Sequence, residues 1–155
     1  MVVDIYSKFM FKSKSITFSL IVLILLSLFA CQKTQVNQVI LEDGYYTSKE
    51  DVSLYLITYH RLPNNYITKD EAIMLGWDND KGNLWEVTDQ KSIGGDRFYN
   101  REQLLPIETK LVYFECDIDY EGGYRNGKRI VYSSNWDVYY TDNHYDSFEL
   151  LIKGD

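Results

Sequence analysis

Val112-Tyr113-Phe114-Glu115-Cys116-Asp117-Ile118 alternates strictly: Val112, Phe114, Cys116 and Ile118 share one face of an extended segment, and Tyr113, Glu115 and Asp117 share the other. The period of two predicts a strand with an apolar face that another element must cover and a polar face that carries two carboxylates on the solvent side. Lys128 to Ser133 alternates likewise, which places Arg129 at matching parity on a neighbouring strand. Ser134-Asn135 marks a tight turn into Trp136 to Thr141, and Phe148 to Ile152 supplies one more strand. This texture begins after Gly94-Gly95.

Upstream the pattern is helical. Val52, Tyr55, Leu56 and Tyr59 fall at i, i+3, i+4 and i+7, Thr47 and Glu50 have capping-box spacing, and Pro63 bars any continuation of the helix. Thr68 and Glu71 repeat that spacing before Ala72, Ile73 and Leu75, with Gly76 as terminator. Leu84 to Val87 forms a third short helix. Helices followed by strands predict an α+β fold in which the N-terminal helices pack on one face of an antiparallel sheet.

A chain of 155 residues with 45% hydrophobic content accommodates one domain and an N-terminal appendage. Lys8, Lys12 and Lys14 precede an apolar run, Ile16 to Ala30, of about 15 residues, short of the roughly 20 that a spanning helix needs. That order is the pattern of an export signal. Cys31 directly after Ala30 resembles a lipoprotein processing site, where the cysteine is acylated and becomes the mature N-terminus; ordinary signal cleavage beside Cys31 is the competing reading. The expected organisation is an export signal over 1–30, a lipidated Cys31 with a tether or loosely packed arm over 31–46, and the folded domain over 47–155. The expected location is a membrane anchor at the cell surface or in the periplasm, or secretion. An acylated Cys31 leaves Cys116 without a disulfide partner, so Cys116 reads as a buried small hydrophobe.

The formal charge is −7, and residues 1–31, with three Lys and one Asp, account for +2, which leaves −9 after them. Such a balance excludes a protein that coats nucleic acid non-specifically, because that binding depends on excess Lys and Arg. Local cation clusters remain able to hold a phosphate.

Two histidines exist. His60 falls in the last turn of the first helix, where a cation complements the helix dipole, and reads as structural. His144 follows the polar stretch Thr141-Asp142-Asn143, unlike a core position. Glu115 and Asp117 taken alone would be solvated surface carboxylates, but an arginine across the strand pair would keep such a group ionised. Lys69 opens the second helix, where unpaired N–H groups already favour an anion. Asn100-Arg101-Glu102 taken alone is an ordinary polar loop. His and Cys lack metal-ligand spacing, Gly94-Gly95 lacks the Gly-Lys-Ser/Thr of a phosphate loop, and neither a metal nor another cofactor is expected.

The stretches Tyr66-Ile-Thr-Lys-Asp-Glu-Ala72, Lys81-Gly-Asn-Leu84, Lys91-Ser-Ile-Gly-Gly-Asp96, Asn100-Arg-Glu102, Arg125-Asn126, Tyr132-Ser-Ser134 and His144-Tyr145 resemble the barnase-like microbial guanyl-specific ribonucleases, from about Val52 to Phe148 without a gap. The resemblance implies the microbial ribonuclease fold, with the active site on the sheet face away from the helices. It implies Glu115 as general base, His144 as general acid, and Lys69, Arg125 and Arg129 as phosphate-binding cations. Asp117 would brace the two arginines, with Asp96 in support. Phe98, Tyr99, Asn100, Arg101 and Glu102 would form the guanine-reading loop, and Tyr145 an aromatic lid beside the acid.

The implied activity is metal-independent, endonucleolytic cleavage of single-stranded RNA 3′ to guanosine, through a 2′,3′-cyclic phosphate. The implied protein is a monomer with single-stranded RNA as substrate, a dedicated proteinaceous inhibitor as a candidate partner, and a membrane reached through Cys31. This chain departs from the family pattern at Tyr99, where the pattern has serine, at Asn143 and Asn135, where it has aspartate, and at Glu108, where it is basic. None of the four makes or breaks a bond in the implied reaction. The alternative reading is a membrane-tethered, catalytically weak RNA- or protein-binding module on the same fold.

Overall fold

The first helix, α1 (Lys49–Tyr59), starts one residue later than the Thr47–Glu50 spacing predicts. Ser48 is the N-cap: its hydroxyl oxygen accepts from the Asp51 amide at 3.1 Å, because Ser48 holds the extended backbone that aims a short side chain at the first turn. The helix ends at His60, whose left-handed backbone (φ 52°) turns its N–H back to the Leu56 carbonyl at 2.9 Å. His60 is therefore the C-cap rather than part of the last turn, and its ring stacks on Trp136 at 4.6 Å.

This computed structural model describes residues 39–154. The predicted export signal and Cys31 lie outside them. Residues 40–46, the end of the expected arm, lie against α1: Tyr55 and Tyr59 donate their hydroxyls to the carbonyls of Glu42 (2.7 Å) and Ile40 (2.8 Å).

After β1 (Tyr66–Ile67) come α2 (Lys69–Met74) and α3 (Leu84–Val87), then β2 (Ser92–Phe98), β3 (Tyr113–Asp117), β4 (Arg129–Ser133), β5 (Val138–Thr141) and β6 (Glu149–Ile152). The six strands form one sheet in chain order. Every neighbouring pair is antiparallel except β1 and β2, which run parallel. β1 escapes a periodicity argument because two residues carry no period. The Thr68–Glu71 capping box that opens α2 is formed as predicted. Trp136 belongs to the turn between β4 and β5 (φ 65°), so β5 begins at Val138.

Gly94 and Gly95 lie inside β2 instead of ahead of it. Gly94 opposes Cys116 and Asp96 opposes Glu115, so Gly95 is the extra residue of a bulge. Gly95 has φ 94°, which a side chain would strain, and a Cβ on Gly94 would come within 2.6 Å of the Cys116 Cβ. The bulge re-aims Asp96 toward the start of α2, with consequences for the site.

Val52 and Leu56 of α1 pack with Cys116, Ile118, Ile130, Tyr132 and Val138 on the apolar sheet face. At about 1.5–3 kcal/mol for each fully buried Val, Leu or Ile side chain, this cluster is the main support of the sheet. Cys116 is a free, buried thiol within it. α2 and α3 build a separate cluster, Ala72, Trp77, Leu84, Ile93 and Tyr120, beside β1 and β2.

The other sheet face is not a solvated surface. Glu115, Asp117 and Arg129 are only 7%, 1% and 2% exposed. Tyr113, Val131 and Tyr139 on that face pack with Phe98 at the end of β2 and beneath Leu105, Tyr145 and Phe148, which arrive on loops. Alternation alone assigns a face; it does not reveal what later chain segments lay over it.

Candidate active site

Glu115 stands mid-strand in β3, between Asp96 of β2 and Val131 of β4. Lys69 Nζ donates to its Oε1 at 2.6 Å and the Tyr145 hydroxyl donates to its Oε2 at 2.6 Å. Burial is the strongest influence on this carboxyl and pushes it up, but the hydrogen bonds from Lys69 and Tyr145 and the charges of Lys69 and Arg125 outweigh it. The net displacement is below the ordinary glutamate value. Tyr145 is driven the other way, well above an ordinary tyrosine, by burial and by its bond to this carboxylate, so its hydroxyl stays a neutral donor.

Lys69 reaches Glu115 because its own backbone is held. Its amide donates to Asp96 Oδ2 at 3.0 Å, and the Thr68–Glu71 box fixes the turn immediately before it. The β2 bulge, Asp96 and the capping box thus place one cation at one carboxylate.

Asp117 organises the other cations. Arg125 Nε and Nη2 donate to its two oxygens at 2.7 and 2.6 Å, a bidentate pair, and Arg125 lies 5.9 Å from the Trp77 ring. Arg129, opposite Asp117 in the β3–β4 register, brings Nε within 2.9 Å of Oδ1, but that N–H is not aimed at the oxygen, so the contact is an ion pair without a hydrogen bond. Arg129 Nη1 donates to the carbonyls of Asn126 and Lys128, each at 2.7 Å. Nη2 makes no hydrogen bond among the described residues and is not fully enclosed, which leaves it as the nitrogen able to meet a ligand.

His144 and Tyr145 occupy the turn after β5, both with left-handed backbone (φ 57° and 76°). Two consecutive non-glycine residues in that region need support from their surroundings. Thr141 Oγ1 accepts from the Tyr145 amide at 3.1 Å, Asn143 bonds Thr141 and Ser147 through its side chain, and the His144 amide donates to the Gly127 carbonyl at 3.1 Å. The His144 ring is exposed and tilts against Tyr145 at 4.9 Å. Tyr145 thus touches both Glu115 and His144.

Phe98 packs on Tyr145 at 5.2 Å and on Phe148 at 5.9 Å, which ties the end of β2 to the His144 turn. In the next loop, Asn100 spends its side-chain amide on the backbone of Leu105, donating at 2.9 Å and accepting at 3.0 Å. That role is to shape the loop. Glu102 is exposed and its carboxylate has no hydrogen bond or ion pair among the described residues, so it is free to accept from a ligand.

The structure therefore gathers Glu115, Lys69, Tyr145, Asp117, Arg125, Arg129 and Asp96 into one network and sets His144 at its edge. Sequence reasoning passed over Asn126, Gly127, Thr141 and Ser147, and saw in Asn143 only a lost charge. Asn126 binds the carbonyls of Ile118 and Asp119 at 3.0 and 2.9 Å and accepts from the Lys128 amide at 2.9 Å, closing the loop that carries Arg125. The Asn126-Gly127 dipeptide was the available signal for that turn. Among the described residues no group of three or more His, Cys, Asp or Glu is placed to hold a metal ion.

A family model described as ribonuclease matches residues 49–151. A ribonuclease of Heyndrickxia coagulans is 54% identical over 102 residues, which are 66% of this chain and 94% of that protein. Ribonucleases of Bacillus intermedius and Bacillus pumilus are each 54% identical over 102 residues, 63% of their own length, so the match spans less than two thirds of those two relatives.

Proposed function

The chain belongs to the ribonuclease family, and on that footing we propose that it is an exported, metal-independent endoribonuclease that cleaves single-stranded RNA 3′ to guanosine. The observation that carries this reading is the ionised, buried Glu115 carboxylate clasped between Lys69 and Tyr145, beside two arginines braced on Asp117. A carboxylate kept charged in a water-poor site is a base waiting for a proton.

Glu115 takes the proton of the 2′-hydroxyl, and the 2′-oxygen attacks the adjacent phosphorus. Each Glu115 oxygen accepts one hydrogen bond beforehand and keeps lone-pair capacity for the substrate hydroxyl. Lys69, whose side chain is 38% exposed, lies where an arriving phosphate offers its ammonium a second anion. Lys69, Arg125 and Arg129 then stabilise the charge that develops on the phosphorane, while Asp117 prevents the arginines from collapsing onto Glu115. His144 donates a proton to the departing 5′-oxygen, giving the 2′,3′-cyclic phosphate. Hydrolysis to the 3′-phosphate comes next, with base and acid exchanged.

Cleavage of the four dinucleoside monophosphates that differ in the 5′ base, with a chelator present, tests this directly. The guanosine compound should be cleaved fastest and yield the cyclic phosphate first; equal cleavage of all four refutes guanine preference, and binding without cleavage points to the binding-module alternative. In the same assay Glu102→Gln should lower kcat/KM for guanosine about ten- to hundredfold and leave adenosine little changed. Glutamine turns an acceptor into a donor facing the guanine N1–H or N2–H2, at a cost of about 1–3 kcal/mol.

The pH profile gives a second check. Because Glu115 has a lowered value in the folded protein, its ionised form stabilises the native state at pH above the ordinary glutamate value. That contribution is lost as pH falls through the depressed value. Lys69→Ala removes the hydrogen bond and the charge that oppose burial, so the acid limb of kcat/KM should move to higher pH. An unmoved acid limb would mean that Glu115 is not the group titrating there.

Export rests on the basic stretch, apolar run and Ala30-Cys31 junction. We take Cys31 as the acylated mature N-terminus; an intact mass showing a mature chain that begins beyond Cys31 would overturn that assignment.

A further inference from the structure

Beyond Phe98 the strand ends, Asn100 takes a left-handed backbone (φ 44°) and the chain turns at Arg101-Glu102; Arg97, Tyr99 and Arg101 are exposed, while Phe98 and Asn100 between them are half-buried. Phe98 and Asn100 serve the site and its loop. The other three are exposed and lie together around the Tyr99 ring. Tyr99 is 66% exposed, with the Arg97 guanidinium 5.3 Å and the Arg101 guanidinium 5.6 Å from its ring centroid. Neither guanidinium has a hydrogen bond or ion pair with a carboxylate among the described residues, although Asp and Glu outnumber Lys and Arg by 23 to 16 in this chain.

The three residues border a pocket of about 310 Å³, whose walls also include Phe98, Asn100, Ile107, Glu108 and Leu111. Glu102, the proposed base reader, does not line it. The volume is at the small end of the range for ligand sites. A bare phosphate would leave the exposed ring and the apolar wall without use, and an apolar ligand would leave two cations unmatched. A planar base carrying a phosphate satisfies all of them: the ring stacks and the guanidiniums pair with the anion.

We propose that Arg97, Tyr99 and Arg101 form a second nucleotide subsite, which holds a base and phosphate of the substrate RNA outside the dinucleotide that is cleaved. This rests on the ribonuclease reading above and deepens it, since a subsite continuous with the base loop would favour long RNA over minimal substrates. It also offsets locally the acidic balance that weakens binding of long RNA elsewhere on the molecule.

The test compares a guanosine dinucleoside monophosphate with a single-stranded octanucleotide containing one guanosine. Arg97→Ala, at an exposed position, should raise KM for the octanucleotide roughly tenfold, the scale of one lost base contact, and leave dinucleotide kinetics unchanged. Arg97→Gln should reproduce this, and Tyr99→Ser should weaken octanucleotide cleavage without changing which base is preferred. Equal losses on both substrates would place the residues in the base loop itself, and no loss on either would remove the subsite; both outcomes overturn the proposal. Fluorescence anisotropy of the labelled octanucleotide with His144→Asn protein separates the two readings. If the unmutated chain fails to cleave the dinucleotide, the ribonuclease mechanism fails, yet an Arg97-dependent affinity still reports the subsite; if cleavage is normal and affinity ignores Arg97, the subsite alone fails.

Discussion

Glu115→Ala and His144→Ala should each lower turnover of a guanosine dinucleotide by at least about a hundredfold, the usual scale of a lost general base or acid, while circular dichroism stays native. The fold should survive the first because Lys69 Nζ, with its side chain 38% exposed, is rehydrated when its partner is removed, and Tyr145 keeps its packing on Phe98. It should survive the second because the His144 side chain is exposed and its amide still reaches the Gly127 carbonyl. His144 has φ 57°, so His144→Asn is the cleaner control: asparagine tolerates the left-handed backbone better than alanine and supplies no acid. Near-normal turnover in any folded variant of either residue would show that the proton is handled by another group.

Asp117→Ala should be the most destabilising single change in the site, by about 3–5 kcal/mol, the range for breaking a buried charge pair from one side. Asp117 is 1% exposed, accepts two bonds from Arg125 and pairs with Arg129, which is itself 2% exposed. Removing the carboxylate leaves a buried and a largely buried guanidinium without their shared anion, with the Asn126 and Lys128 carbonyls and the Asn126 side chain as the remaining partners of Arg129. Urea unfolding monitored by tyrosine and tryptophan fluorescence reads this as a lower midpoint at unchanged slope. A loss under about 1 kcal/mol would mean that the arginines find other partners and that Asp117 is not their brace. Activity should fall with stability, because the same change frees Arg125 to turn toward Glu115.

Elements whose signal is local were legible in the chain alone. The alternation of Val112 to Ile118 sorted Cys116 and Ile118 from Glu115 and Asp117, the spacing of Val52 and Leu56 identified the buried side of α1, and Thr68 with Glu71 announced the capping box. These rest on the period of a strand, the period of a helix and the reach of a short side chain, all properties of a few neighbouring residues. Resemblance to a family added the roles of Glu115 and His144, which no local pattern could assign to residues 29 positions apart.

Features that depend on segments far apart in the chain emerged with the folded arrangement. Glu115 is buried and doubly clasped because of a lysine 46 residues earlier and a tyrosine 30 residues later. The polar face is roofed by Leu105, Tyr145 and Phe148 because two loops return over it. The two-residue β1, the bulge at Gly95 and the turn that begins β5 at Val138 were equally hidden, because each is settled by a hydrogen-bonding partner on another strand. The physical reason is common to all of them: periodicity reports which side of a residue is apolar, whereas burial, register and the charge state of Glu115 are set by the atoms that pack against that side, and those atoms come from elsewhere in the chain.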